Sequence, residues 1–187
     1  MSRPHRRLIS VGRVRPAPDW HLATHSHDFH ELIAVCRGRT HVTIGGEGVT
    51  ARAGDLLFYE AGTPHEERTH RTDVMETLFI AFEWTDAPPG MPVCLHDVHG
   101  RVRQLLQWLF EEWTHHTPQT ADARTAFFDA LLAEWVRLAH HREHELVQRI
   151  RDYVWQHVAE RITLDDLAAH VARSKYHFTR QYKELTG

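Results

Sequence analysis

The chain has 187 residues, of which 42% are hydrophobic and 25% charged, and its formal net charge is -3. This is the composition of an ordinary globular protein of one large or two small domains. No apolar run approaches the ~20 residues that span a bilayer, and no apolar block follows the basic N-terminus as in a secretory signal. Cys36 and Cys94 are too few for a disulfide framework. We therefore expect a cytoplasmic protein without a membrane partner.

The first hundred residues predict an antiparallel β domain. Short β-rich runs alternate with turns that contain glycine or proline, the pattern of a sandwich or small barrel. The predicted strands are 32–36, 40–44, 49–52, 56–59 and 74–84.

Beyond residue 100 the apolar period becomes helical. One stripe runs from Val102 to Trp113 and a second from Phe128 to Leu138, with a break around Pro118. We expect two antiparallel helices, whose apolar faces either form a dimer seam or pack on the barrel. The polar run 140–145 is a candidate linker.

A histidine-rich constellation lies in the β half. His25, His27 and Glu31 share parity, so in an extended chain their side chains point to one face. A second segment, from Gly54 through Gly62 to His65, offers a fourth ligand. Imidazoles and a carboxylate on one face are suitable ligands for a divalent metal. With 18 histidines in the chain, the HxH pair alone carries no information.

The two segments together resemble the paired motifs of the cupin superfamily, HxHxxxExxxxxxG and GxxxxxPxGxxH. The match is complete except that Glu60 stands at the usual proline. The resemblance implies a jelly-roll barrel with His25, His27, Glu31 and His65 as ligands of Zn, Ni, Fe or Mn. The alternative is a polar pocket that binds a small organic ligand without metal.

The C-terminal segment predicts three short helices. Leu146, Ile150, Val154 and Val158 form the apolar face of the first, and Thr163 with Asp166 forms a near capping box for the second. In the third, capped by Ser174, we expect Phe178, Tyr182 and Leu185 to face inward. The residues expected on or beside its other face, and therefore expected to contact DNA, are Arg173, Lys175, Tyr176, Thr179, Arg180 and Lys183.

A plain three-helix module with a solvated charged face is the alternative. However, Leu167-Ala168, Val171, Ser174 and the run from Phe178 to Gly187 resemble the first helix-turn-helix of AraC/XylS-type transcriptional regulators, LA..V..S..YL.R.FK...G. That resemblance implies that Tyr176, Thr179 and Arg180 approach base edges and that Lys175 and Lys183 approach phosphates. Such regulators carry a second helix-turn-helix just after this point, so the resemblance also implies a truncated chain.

Together these patterns predict an α+β protein with an N-terminal cupin-like barrel. Its expected parts are a sensor domain (1–98), a helical connector that dimerises (99–143) and a helix-turn-helix segment (144–187). The expected function is that of a ligand-responsive transcriptional regulator, not an enzyme, with promoter DNA, a small-molecule effector and a second copy as partners. The alternatives are a metal-dependent cupin oxygenase or isomerase, and a fragment that dimerises with a longer chain without binding DNA.

Overall fold

The chain folds into two compact units, residues 1–140 and 141–187. The computed structural model describes residues 6–69, 74–115, 120–140, 145–157 and 159–186. Among the described helices, none combines the length and apolarity needed to cross a bilayer.

Unit 1 contains two antiparallel sheets. One has five strands in the order β1-β8-β3-β6-β9, and the other has four in the order β2-β7-β4-β5. The strands are β1 Arg6–Val14, β2 His21–His25, β3 His30–Arg37, β4 Arg39–Ile44, β5 Glu47–Arg52, β6 Asp55–Tyr59, β7 His65–Thr69, β8 Glu76–Trp84 and β9 Cys94–His96.

Side chains alternate between the two faces of the five-stranded sheet, and each face contributes to a separate hydrophobic core. On β3, Ile33 and Val35 pack with Val42 and Ile44 of the other sheet, so this core lies between the sheets. The intervening residues of the same strands point to the opposite face, where helices cover them.

Two helices, α1 Arg101–Thr114 and α2 Ala121–His140, form that cover. Leu106, Leu131 and Trp135 are completely buried in one cluster with Leu32 and Ile80 of the five-stranded sheet. Of the two packing modes that the sequence allows, packing on the barrel is therefore the one observed. The boundary expected at residue 98 separates the strands from helices α1 and α2, and both parts belong to the same compact unit.

Four observed strands, β1, β2, β7 and β9, are missing from the sequence prediction. The clearest case is β7, His-Glu-Glu-Arg-Thr, whose charged composition disfavours a strand. It nevertheless pairs with β2 on one side and β4 on the other. Backbone pairing on both edges overrides the weak propensity, and an inward Glu67 is the consequence.

Unit 2 contains α3 Glu145–Gln156, α4 Leu164–His170 and α5 Lys175–Thr186. The capping box predicted at α4 is confirmed: Thr163 Oγ1 accepts from Asp166 N–H, and the Asp166 side chain accepts from Thr163 N–H. Ser174 Oγ likewise accepts from His177 N–H at the start of α5. The small core is formed by Leu146, Ile150, Ala168, Val171 and Phe178.

Two residues that the sequence predicted to lie in the core of this unit are exposed instead. Val154 and Leu185 are 38% and 39% exposed. Both lie near helix ends and outside the small core that the described residues of this unit form. Tyr182 is partly buried against the core as expected. Val158 lies outside the described residues.

The turn between α4 and α5 contains an unfavourable residue. Ala172 has φ 53° in the left-handed region. Ala172 N–H donates to the Ala169 carbonyl at 3.0 Å, and Arg173 N–H donates to the Ala168 carbonyl at 2.9 Å. This is the Schellman arrangement, in which glycine is the preferred residue at this position. The two bonds hold alanine in a conformation that its Cβ opposes.

We expect Ala172→Gly to stabilise unit 2 by about 0.5–1 kcal/mol, because removing the Cβ strain outweighs the added flexibility of the unfolded chain. Native-state hydrogen exchange should then show the buried Phe178 amide exchanging roughly two- to five-fold more slowly. As a matched control, Ala169→Gly, inside α4, should accelerate the same exchange. Equal acceleration by both substitutions would show that the turn is not strained.

Candidate functional site

Three histidines converge between the sheets of unit 1. One ring nitrogen from each of His25, His27 and His65 lies within 4.8 Å of the other two. The His65 ring centroid is 4.3 Å from that of His25 and 4.9 Å from that of His27. His65 is buried and the other two are half-buried. The arrangement has the residue types and the proximity that a metal ion requires, so the triad can hold one.

The backbone produces this convergence by a bend, so the extended conformation assumed in the parity argument does not hold over residues 25–31. β2 ends at His25, which pairs with His65 at the start of β7, and β3 begins only at His30. His27 therefore lies in the connecting loop. Its carbonyl accepts from Gly62 N–H at 2.7 Å, which ties this loop to the turn before His65.

The turn before His65 forms without the usual proline. Thr63 N–H donates to the Glu60 carbonyl at 3.0 Å. Gly62 has φ 80°, and a Cβ there would meet no atom within 4 Å. Glycine is therefore favoured at this position by backbone conformation, and space is not the constraint. The buried His30 ring adds a further tie, accepting from Ala61 N–H at 3.2 Å.

Hydrogen bonds orient all three rings in the same way. The Nδ1–H groups donate to nearby carbonyls: His25 to Ala23 at 3.0 Å, His27 to Phe29 at 2.8 Å and His65 to Thr63 at 2.9 Å. A neutral imidazole protonated at Nδ1 presents its Nε2 lone pair as the ligating atom. The backbone thus selects the tautomer that suits a metal ligand.

His65 gives the strongest evidence that these residues fit a metal ion. Its Nε2 is buried and has no hydrogen-bond partner among the described residues. Burial also lowers the pKa of His65, which keeps the ring neutral. A buried acceptor without a donor is costly, and a cation would satisfy it. The residues present therefore fit a metal ion.

The fourth predicted ligand, Glu31, is adjacent to the three-histidine group and is not a member of it. Its Oε2 lies 3.1 Å from Nε2 of His27. Because Nδ1 of His27 already donates to a carbonyl, a proton or another cation is needed between this nitrogen and the carboxylate. Burial raises the pKa of Glu31, and the neighbouring His27 opposes that rise. A divalent ion would replace the proton at this point.

A second half-buried carboxylate, Glu67, was missed at the sequence level. Tyr59 Oη–H donates to its Oε1 at 3.1 Å, and burial raises the pKa of Glu67. Burial also raises the pKa of the Tyr59 hydroxyl, so that it stays a donor. The signal for Glu67 was strand parity, since it lies two residues after His65 and shares its face. It was overlooked because β7 was not predicted.

Beside the histidines lies a cavity of about 490 Å³ that is mostly apolar. His25, His27, Glu31 and Glu67 form its polar side. The remaining lining residues are Val14, Pro16, Trp20, Leu22, Phe29, Ile33, Met75, Thr77 and Phe79. A cavity of this size, with a few polar groups at one side, is typical of a small-molecule site.

The predicted DNA-contacting residues of unit 2 are all exposed. Tyr176 is the most prominent, with 78% of its surface exposed. Two of the cationic side chains form ion pairs. Lys175 Nζ lies 3.0 Å from Asp165 Oδ2, and Arg180 Nε lies 3.7 Å from Glu184 Oε1. Both pairs are solvent-exposed and weak enough to exchange for phosphate or a base edge.

The Thr179 hydroxyl is already engaged within α5. It donates to the Lys175 carbonyl at 2.8 Å, which leaves it only acceptor capacity toward a ligand. Between residues 163 and 186 the chain has four Lys or Arg and three Asp or Glu. The exposed face is therefore locally cationic while the segment as a whole is nearly neutral.

Comparison with known proteins agrees with this fold. Residues 12–81 match the family model of the cupin domain. The chain accordingly has a cupin domain of antiparallel sheets in its N-terminal part, followed by helices, and is α+β overall.

Two curated relatives are similar over longer stretches. The MmsAB operon regulatory protein of Pseudomonas aeruginosa is 28% identical over 196 residues, covering 95% of this chain and 62% of that protein. The HTH-type transcriptional activator RhaR of Shigella dysenteriae is 26% identical over 125 residues, covering 59% of this chain and 44% of RhaR. The chain thus spans less than two thirds of the length of either relative.

Among solved structures, a predicted oxalate decarboxylase from Thermotoga maritima aligns with a TM-score of 0.38 at 21% identity. The alignment covers 40% of this chain and 65% of that one.

Proposed function

We propose that the chain is a ligand-responsive transcriptional regulator that binds specific DNA sequences through unit 2. The observation that carries the proposal is that one relative, named as an operon regulatory protein, aligns over 95% of this chain. The similarity therefore includes both the histidine-lined cupin domain and the segment with the exposed cationic helix. An isolated cupin enzyme would not require that second part.

In this proposal α5 is the recognition helix. It follows a two-turn helix and a tight turn, which is the order of a helix-turn-helix. Arg180 and Tyr176 are exposed where base edges would lie in this proposal, and Lys183 is exposed on the same helix. Arginine contacts guanine in a bidentate manner and lysine contacts phosphate, so the two residue types have separable roles.

The sensor in this proposal is the cupin domain, with His25, His27 and His65 holding a divalent metal and Glu31 completing the ligand set. The ion would supply positive charge beside the cavity and an open coordination position for an effector. The residues of the chain orient the rings and exclude water on the apolar side. Zinc, nickel, iron and manganese are the candidate ions.

Selection from a randomised library of double-stranded DNA tests the regulator proposal directly. The chain should enrich a common motif in the presence of excess unlabelled non-specific DNA, because base contacts survive that competition and phosphate contacts do not. A chain that enriches no motif would contradict the proposal.

The rival function is a metal-dependent cupin enzyme, an oxygenase or isomerase. It is favoured by the cavity adjoining three histidines, which leaves room for a substrate beside the ion. Turnover by iron-loaded protein together with failure to enrich any DNA motif would establish the rival instead.

We also propose a homodimer through α1 and α2. Trp108 is 43% exposed although it is a large apolar residue, and its ring lies 5.7 Å from that of Phe127 on α2. The buried residues of the helix pair, such as Leu106 and Leu131, pack on the five-stranded sheet, whereas the face with Trp108 is exposed. In this view 99–143 works as the connector between sensor (1–98) and DNA-binding segment (144–187).

Trp108→Glu is expected to weaken dimerisation by at least about 30-fold, because a central aromatic of an interface contributes 2 kcal/mol or more. Sedimentation velocity over a concentration series measures the change. Val98→Glu introduces the same charge at another exposed apolar position and should leave the dimer intact. A wild-type chain that sediments as a monomer throughout would contradict the dimer.

A further inference from the structure

The cavity beside the histidines has an unusual charge distribution. Its polar side has two carboxylates, Glu31 and Glu67, and its described lining residues include no lysine or arginine. Anionic ligands such as phosphorylated sugars or dicarboxylates are usually held by arginine or lysine. Apart from the histidines of the described lining, a bound metal ion is the group that could offset the charge of such a ligand.

The two carboxylates still have acceptor capacity. Among the described residues Tyr59 donates to one oxygen of Glu67, and no donor reaches the other. Where the structure describes the chain, His27 is the one side-chain hydrogen-bond partner of the Glu31 carboxylate. A half-buried carboxylate oxygen is stabilised by a donor, so a ligand with an O–H or N–H group would supply the missing hydrogen bond.

Apart from Thr77, apolar residues form the rest of the described lining of the cavity. Phe29, Ile33 and Phe79 line it, and Val14 and Leu22 remain 37% exposed. Covering exposed apolar surface contributes roughly 25 cal/mol per Å². The volume of about 490 Å³ suits a molecule of about ten to fifteen non-hydrogen atoms.

A bound metal ion would supply positive charge beside the lining carboxylates Glu31 and Glu67. An uncharged ligand adds no charge to that site, whereas a carboxylate ligand would place a further negative group near Glu67, and burying unpaired charge is expensive.

We propose that the effector of this cavity is an uncharged, ring-bearing apolar molecule with a hydroxyl or amide donor directed at Glu67. This inference rests on the proposed function of the cupin domain as a metal-holding sensor. It assigns Glu67 as the residue that selects the head group and assigns the apolar lining as the surface that selects the ring.

Two probes with one scaffold test the proposal: 3-phenylpropan-1-ol and 3-phenylpropanoate. Their dissociation constants are measured by ligand-detected NMR titration on the zinc-treated chain. The alcohol should bind at least about ten-fold more tightly than the acid, because only the alcohol can donate to Glu67 without adding negative charge. An acid that binds as tightly as the alcohol overturns the proposal.

Two substitutions on β7 locate the effect. Glu67→Gln should weaken alcohol binding about ten-fold, since the amide has a single acceptor oxygen, which Tyr59 can occupy, whereas the carboxyl group has a second oxygen for the ligand. Glu66→Gln is the matched control: its side chain lies on the outside, where Thr24, His21 and Arg68 contact it, and it should change binding less than two-fold. If Glu67→Gln does not fold, the probe ranking in the wild-type chain still decides.

Zinc content measured on the same samples distinguishes a failure of the effector proposal from a failure of the metal-site proposal. Bound zinc with a preference for the acid would overturn the effector class and leave the metal site standing. A preference for the alcohol that depends on Glu67, in a chain that takes up no zinc, would remove the metal site and support the effector class.

Discussion

Replacing His65 with alanine is expected to lower the affinity of the chain for zinc by at least about 100-fold. Loss of a residue that merely supports a ligand already costs up to that factor, and His65 supplies a ligand itself. Its Nε2 is buried and has no partner among the described residues, so a bound ion is the group that would satisfy it. Competition with a chromogenic chelator gives the affinity.

With 18 histidines in the chain, adventitious zinc binding must be separated from binding at the triad. His41→Ala is the appropriate control, because that ring contacts Thr50 on the outer face of the four-stranded sheet. It should leave the tight zinc stoichiometry unchanged. If His65→Ala and His41→Ala bind zinc as tightly as the wild type, the ion is held elsewhere.

Arg180→Ala is expected to reduce discrimination between DNA sequences by a factor of about 5–150, the range for loss of one bidentate contact to a base. The residue is exposed on α5, and its pairing with Glu184 at 3.7 Å is weak enough to exchange. The measurement compares affinities for a duplex selected from the randomised library and for scrambled duplexes of the same length.

Lys183→Ala should behave differently, weakening binding to all sequences about evenly and reducing the salt slope by about 1. Arg52→Ala, on β5 of unit 1, should change neither quantity. An unaltered preference after Arg180→Ala would remove α5 as the reading element. An effect of Lys183→Ala confined to the selected duplex would reverse the proposed roles of the two residues.

The sequence predicted the parts of the fold with strong local signals. The apolar stripes from Val102 and from Phe128 gave both long helices, and the pairing of Thr163 with Asp166 gave the start of α4. The missed strands are those whose residues are polar or at sheet edges, such as the charged β7. Their stability comes from pairing with distant strands, which local pattern does not contain.

The candidate site could be predicted as a set of residues and not as a geometry. The motif spacing brought His25, His27 and His65 into one hypothesis, and the structure places them together. Parity alone did not foresee the bend after His25 or the backbone bonds that fix each ring. Glu67 and the apolar cavity were not foreseen, because they depend on which strand lies beside β2.

We propose that a metal ion in the cupin domain changes the affinity of the chain for specific DNA. The most direct measurement is the affinity for the selected duplex with and without zinc, for the wild type and for His65→Ala. Coupling between two sites in one protein commonly amounts to 1–3 kcal/mol, or a factor of about 5–150. The account predicts a change of at least about 5-fold in the wild type that disappears in His65→Ala. Identical affinities under all four conditions, with zinc bound to the wild type, would contradict it.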